Sequence, residues 1–318
     1  MRRRRPRGFT LIELMIAATL FSLIAAGAMS LVLSTSRAQQ RSARIDVAQS
    51  GLRASFDFIS RDVLSASAGA KSGVIQNGAT LLSPIAVTDS STAPDQLDLY
   101  LVDTSAMATV LTSVATGTTA ITVDSGANFA VGDVVQVCDL STAALGTVAS
   151  ASATTITLST GITLPATVAS YPPGSYLFRS RHVTYSIDST TFGSSASANE
   201  SMLMRDIHDG SGAQPLAEGI EDLQVALGFD NNGDGAITEV RAAANDDEWV
   251  YNFTGESAPV SLAGLKVVRV TVVTKSTQSE AGLTPLLPRR EDRAAATTAD
   301  GFPRRILQSE IVVRNFNL

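Results

Sequence analysis

The sequence predicts an α+β protein in which one long N-terminal helix precedes a mainly antiparallel β-sheet domain carrying a small β-rich insertion. Three observations predict it. Phe9 to Ser36 is an apolar run with a single charge, Glu13. From Ile45 onward apolar residues recur at intervals of three and four, the helical period. After Ala66 the chain turns to short apolar or alternating runs bounded by turn residues, the pattern of strands. With 44% hydrophobic and 17% charged residues, a charge-rich disordered chain is excluded.

The N-terminus reads in order. Arg2, Arg3, Arg4, Arg5 and Arg7 form a basic leader over residues 1–8. The run from 9 to 36 is long enough to cross a bilayer core, which needs about 20 apolar residues as a helix. Arginines ahead of such a run stay cytoplasmic, so the rest of the chain is expected on the far side. An ordinary signal peptide competes with this reading, because Ala26-Gly27-Ala28 offers a cleavage site that would leave Met29 first. Glu13 opposes both a disposable signal and a plain anchor. A carboxylate in an apolar run costs roughly 2.5–3.5 kcal/mol on insertion scales, so it needs a partner elsewhere. Residues 37–66 continue the helix as an amphipathic half. Ile45, Ala48, Leu52, Phe56, Ile59 and Val63 form its stripe, while Arg41, Arg44, Asp57 and Arg61 lie largely off it. Unbroken from residue 9 to about 65, the helix would be roughly 85 Å long. A break after Ser36 into two helices is the alternative.

Residues 67–318 form the β domain. Strands are expected at Gln96 to Val102, Ala120 to Asp124, Asp133 to Cys138, Thr154 to Leu158, His182 to Ile187, Asp222 to Phe229, Val267 to Thr274 and Ile311 to Val313. Residues from about 109 to 165 read as an inserted β module, closed by a turn at Pro172-Pro173. Basic residues are scarce here. Between Val63 and Phe178 Lys71 is the one basic residue, against seven aspartates, so the domain lacks the clustered Lys and Arg that nucleic-acid binding requires.

Arg7-Gly8-Phe9-Thr10-Leu11-Ile12-Glu13-Leu14 resembles the processing site of type IV prepilins and pseudopilins. The resemblance implies cleavage by a prepilin peptidase between Gly8 and Phe9, removal of residues 1–8, and N-methylation of Phe9. It places Glu13 fifth in the mature chain, as the assembly residue. Cutting ahead of the apolar run discards the arginines and keeps the helix. The new α-amino group at Phe9 is then a natural counter-ion for Glu13 of a neighbouring subunit, so that two costly charges neutralise each other as helices pack. His182-Val183-Thr184-Tyr185, Leu203-Met204-Arg205, Leu216 to Leu223, Val268 to Val273 and the segment from Arg304 to Asn315 resemble the PilW-like minor pilins. That resemblance implies a pilin-like fold and a non-catalytic subunit that primes type IV pilus assembly within a tip complex. Its implied partners are other minor pilins, the major pilin and a tip adhesin. Its implied location is the inner membrane, with a periplasmic C-terminal domain, and then the pilus. The alternatives are a minor pseudopilin of type II secretion and, from another class, an exported enzyme or calcium-dependent binding module.

Four further features bear on chemistry. Asp230, Asn232 and Asp234, with Gly235 sixth, alternate oxygen ligands as calcium loops do. Arg241 stands twelfth, where a bidentate acid belongs, and Glu239, Asp246 or Glu248 would have to substitute. An Asn/Asp/Gly turn without metal is the equal alternative. Calcium calorimetry with an Asp234→Ala control separates the two: no heat and no change in melting temperature removes the metal. His182 and His208 are the two histidines, and His208 beside Asp206 and Asp209 is a weak zinc signal that reads first as a surface loop. Cys138 reads as a small buried residue, and Arg289-Arg290-Glu291-Asp292-Arg293 as a solvated loop, with docking of a partner subunit its alternative.

Overall fold

The apolar stripe on the second half of the helix is where the β domain closes. The computed structural model describes residues 10–66, 69–189, 201–240, 247–259, 261–276, 279, 282, 284 and 286–313, without the side chains of 37, 38, 41–45, 47 and 48. Gly8 and Phe9, the side chains of Ile45 and Ala48, and Arg241 and Asp246 therefore lie outside the described residues. Helix α1 runs Leu11–Ser65 as one element, so the alternative of two separate helices does not hold. It contributes to two compact units, one ending at Val47 and one starting at Ala48.

In the second unit the strands are β1 (Ile75–Asn77), β2 (Thr80–Leu82), β3 (Ile85–Thr88), β4 (Gln96–Thr109), β5 (Val114–Ala115), β6 (Ala120–Thr122), β7 (Val134–Cys138), β8 (Ala143–Ala151) and β9 (Thr155–Leu158). They continue with β10 (Ser170–Tyr171), β11 (Tyr176–Asp188), β12 (Met202–Asp206), β13 (Gln214–Glu218), β14 (Ile220–Phe229), β15 (Trp249–Val250), β16 (Leu265–Lys275) and β17 (Arg304–Val312). Every strand expected from the sequence is present. Among the described residues, eleven strands make one sheet around β11, which pairs with β4, β7 and β12. A second sheet has the order β15-β14-β16-β17. Among the described residues, the strands pair antiparallel except β1 with β8, and an isolated bridge, Ala70 with Leu140, is also parallel.

The chain crosses from one sheet to the other at a single residue, Gly219, between β13 and β14. Its φ of 72° is a left-handed conformation open to glycine at little steric cost. Its N–H donates to Ser201 O at 2.7 Å and its carbonyl accepts from Lys275 N at 2.9 Å, so the crossing is tied to both sheets.

The main core lies between those sheets and the helix. Leu52, Ile59 and Val63 of α1 pack with Leu97 and Leu99 of β4, Val183 and Tyr185 of β11, Leu223 and Val225 of β14, and Val270 and Val272 of β16. The near-continuous burial of β14 and β16 fits strands covered on both faces. At the edge, β17 instead exposes most of its residues and carries Arg304, Arg305 and Glu310, which discourages pairing with another chain. Residues between Ala106 and Leu177 close a separate core around Val110, Ile121, Val135, Ile156 and Tyr171. Its limits are wider than the 109–165 expected, because β4 and β11 each run on from the main sheet into it.

One expectation is corrected. The run Arg289 to Arg293 is not simply solvated: Arg290, Glu291 and Asp292 are all at least 94% buried (6%, 1% and 3% exposed). Asp222 on β14 and Arg269 on β16 are buried charges that need partners. Arg290 Nε donates to Asp222 Oδ2 at 2.9 Å and Arg293 Nη1 to Asp222 Oδ1 at 2.5 Å. Glu291 accepts from Arg269 Nη2 at 2.5 Å, and Arg269 also lies over the Trp249 ring at 3.9 Å.

Candidate functional site

The first turn of α1 is built by Thr10 and Glu13. Glu13 Oε2 accepts from Thr10 N and from Thr10 Oγ1, each at 3.0 Å, and Glu13 N donates back to Thr10 Oγ1 at 3.3 Å. This is a reciprocal capping box, which satisfies amide donors that a helix N-terminus leaves unpaired. The carboxylate therefore has a role within its own chain, which the sequence reading missed. The signal was present as Thr-x-x-Glu directly ahead of an apolar run.

Beyond the cap the helix presents apolar side chains in every direction. Leu11–Ser36 has a mean hydropathy of 2.2, and none of it is buried. Leu11, Phe21 and Leu23 are 78%, 74% and 73% exposed. A helix that is apolar all round belongs in lipid or among other helices. Glu13 is the one charge in this span.

The Asp230–Gly235 loop follows β14 and is laced by its own amides. Gly235 N donates to Asp230 Oδ2 at 3.2 Å, Asp234 N to Asn232 Oδ1 at 2.8 Å, and Ala236 N to Asp234 Oδ1 at 2.8 Å. Gly233 and Gly235 turn the chain at φ values of 76° and 83°. Glu248 closes the loop from β15's side, accepting from Thr238 N, Asn231 N and Asn232 N at 2.9, 2.9 and 3.2 Å. These amides, Thr238 first, hold its carboxyl below the usual range. Of the substitutes expected for the twelfth ligand, Glu248 carries those amides and Glu239 binds Arg269 Nη2 at 2.8 Å. Asp230 Oδ1 is buried without a hydrogen-bond donor.

Cys138 is buried, and burial pushes its thiol up to about 11, which leaves it an inert core residue. The two histidines, read separately in the sequence, stack on each other at 4.1 Å.

Residues 3–29 match the family model of the prokaryotic N-terminal methylation motif, and residues 184–315 match that of type IV pilus-assembly protein W. The chain is PilW-like. The methylation motif spans Gly8, Phe9 and the Thr10–Glu13 cap. The PilW-like segment begins at Thr184 within β11 and takes in β12, the Gly219 crossing and the whole second sheet. The separate core between Ala106 and Leu177 lies outside it. Among solved structures, a type IV-like pilin from Thermus thermophilus aligns over 84% of this chain and 96% of its own, at 8% identity and a TM-score of 0.38. No curated protein sequence matches the chain.

Proposed function

We propose that this PilW-like chain is a minor pilin that primes assembly of a type IV pilus and sits in its tip complex, with no catalytic step of its own. Prepilin peptidase cuts between Gly8 and Phe9 and methylates Phe9. Leu11–Ser36 holds the protein in the inner membrane, with the β domain periplasmic, until the helix is drawn into a bundle of other minor and major pilins. The observation that carries this reading is the uncovered apolar helix directly behind a methylation motif, in a chain whose β domain already closes its own cores. Burial among neighbouring helices would remove that apolar surface from water or lipid.

Glu13 is proposed to pair with the α-amino group of Phe9 in a neighbouring subunit. Two variants test this against its role in the cap. In the parent bacterium, Glu13→Ala is expected to stay in the membrane fraction, while wild type and Thr10→Val, which loses only the cap hydroxyl, both appear in sheared fibres. Equal loss of both variants would assign Glu13 to the cap alone. Entry of Glu13→Ala into fibres at the wild-type level would remove the pairing.

A further inference from the structure

The chain has two histidines in 318 residues, and the fold brings both to one carboxylate. On adjacent strands, Thr184 of β11 lies opposite Asp98 of β4, and His182 lies opposite Tyr100. Residues two apart share a sheet face, so these four side chains form one patch. His208 joins it from just beyond β12, whose last residue is Asp206. Its backbone is turned by a φ of 50°, and its N–H is held by Asp206 Oδ1 at 2.8 Å.

The polar atoms meet in a chain. His182 Nε2 lies 3.1 Å from Asp98 Oδ1. Thr184 Oγ1 donates to the same oxygen at 2.5 Å and lies 2.8 Å from His208 Nε2. One ligand atom each from Asp98, His182 and His208 falls within 4.8 Å of the others. The rings stack: His182 lies between Tyr100 at 4.6 Å and His208 at 4.1 Å, with both interplanar angles 4°. Beside them is a cleft of about 370 Å³ lined also by Ser180, Thr160 and Gly146.

We propose that Asp98, His182 and His208 form a binding site for a divalent transition-metal ion of the zinc class. Two imidazole nitrogens and one carboxylate oxygen are a donor set that suits zinc, whose bonds to nitrogen and oxygen are about 2.0–2.2 Å. Tetrahedral bonds of that length set donor atoms roughly 3.3 Å apart, close to the present His182–Asp98 separation. The ion would replace the hydrogen bonds now made by the two Nε2 atoms, and His208, the exposed member, would tilt out of its stack on His182 to bring its ring plane onto the ion. The cleft admits the hydrated ion and leaves room for water as a fourth ligand. Thr184 is a positioning residue that orients Asp98, whose Oδ1 keeps a lone pair for the hydroxyl while binding an ion, as second-shell groups commonly do for metal ligands. This inference stands on the sheet patch and does not depend on the pilin reading.

The test uses the full chain in detergent, without a polyhistidine tag, stripped with chelator and titrated with zinc chloride against a chromogenic chelator. One zinc per chain is expected, together with a visible d–d absorption band when cobalt(II) replaces zinc. His208→Gln alters an exposed side chain outside the strands, so the fold survives, and circular dichroism checks that it does. It is expected to weaken zinc binding on the order of 100-fold and abolish the cobalt band, while Thr184→Val weakens it on the order of 10-fold. Asp57→Ala, at an exposed position on α1, is expected to leave zinc affinity unchanged. Absence of stoichiometric zinc in the wild type, or equal affinity in wild type and His208→Gln, would overturn the site.

Discussion

Asp62→Ala is expected to lower the unfolding free energy by about 3 kcal/mol, the lower end of the range for breaking a buried ion pair. Asp62 is on α1 and 7% exposed. Its Oδ2 accepts from Tyr185 Oη at 2.5 Å and from Arg205 Nε and Nη2 at 3.1 and 2.8 Å. The variant leaves the fully buried phenol without its acceptor and takes the carboxylate from the Arg205 guanidinium, which keeps Tyr185 Oη at 3.1 Å. Arg205 keeps 26% of its side chain exposed, so water relieves part of the cost, and this sets the lower end. Urea unfolding of the full chain in detergent measures the loss. Asp57→Ala, an exposed position on the same helix, should change stability by no more than about 0.5 kcal/mol. Equal effects of the two variants would mean that this polar bond does not hold the helix to the sheet.

Stability is expected to rise, not fall, as the pH is lowered from 8 to 5. Asp95 is 2% exposed, and burial pushes its carboxyl up to about 8 even though Val225 N and Ser90 N donate to it at 2.8 and 3.0 Å. Asp89 is pushed up to about 6 by burial, and by the charges of Asp292 and Glu256. An unfolded aspartate titrates near 3.8. Between that value and about 8 the folded chain keeps a proton that the unfolded chain has released, so stability drains away as pH rises through this window. For Asp95 the loss by pH 7 is on the order of 4 kcal/mol. Below pH 4 the sign reverses. Bonds from Arg304 hold Asp300 low, and bonds from Ser105 and Arg179 outweigh burial to hold Asp103 low, so their contribution disappears as those carboxylates protonate. Thermal melts across pH 3–8 should therefore peak near pH 4–5. Asp95→Asn should flatten the slope between 5 and 8, whatever its cost in hydrogen bonds. A wild-type melting temperature that is constant or falls from pH 8 to 5 would contradict the assignment.

What could be read ahead of the structure was what local pattern encodes. The helical period marked Leu52, Ile59 and Val63, and alternation or β-branched runs marked β4, β7, β11, β14 and β16. Strands poor in such residues were missed. Ala143–Ala151 of β8 is mostly small, and Gln214–Glu218 of β13 contains Pro215, which an edge strand tolerates. Partnerships across the sheets were invisible for a different reason. Asp62 meets Tyr185 and Arg205 over more than a hundred residues of chain, and the run at Arg289 was placed on the surface because its partners, Asp222 and Arg269, come from distant strands. The histidines lie 26 positions apart, and Asp98 sits 84 from His182, so no spacing motif flagged them. Conversely the Thr10–Glu13 cap is wholly local and was legible, but attention to the cost of a charge in an apolar run hid its nearer partner.

A subunit of this kind must keep its apolar helix at the front of the finished molecule. Intact mass and N-terminal fragmentation of the protein recovered from sheared fibres of the parent bacterium test it most directly. The expected product begins at N-methylated Phe9, with residues 1–8 absent. A chain beginning at Met29, or one that enters fibres with Met1 to Arg7 still attached, would contradict it.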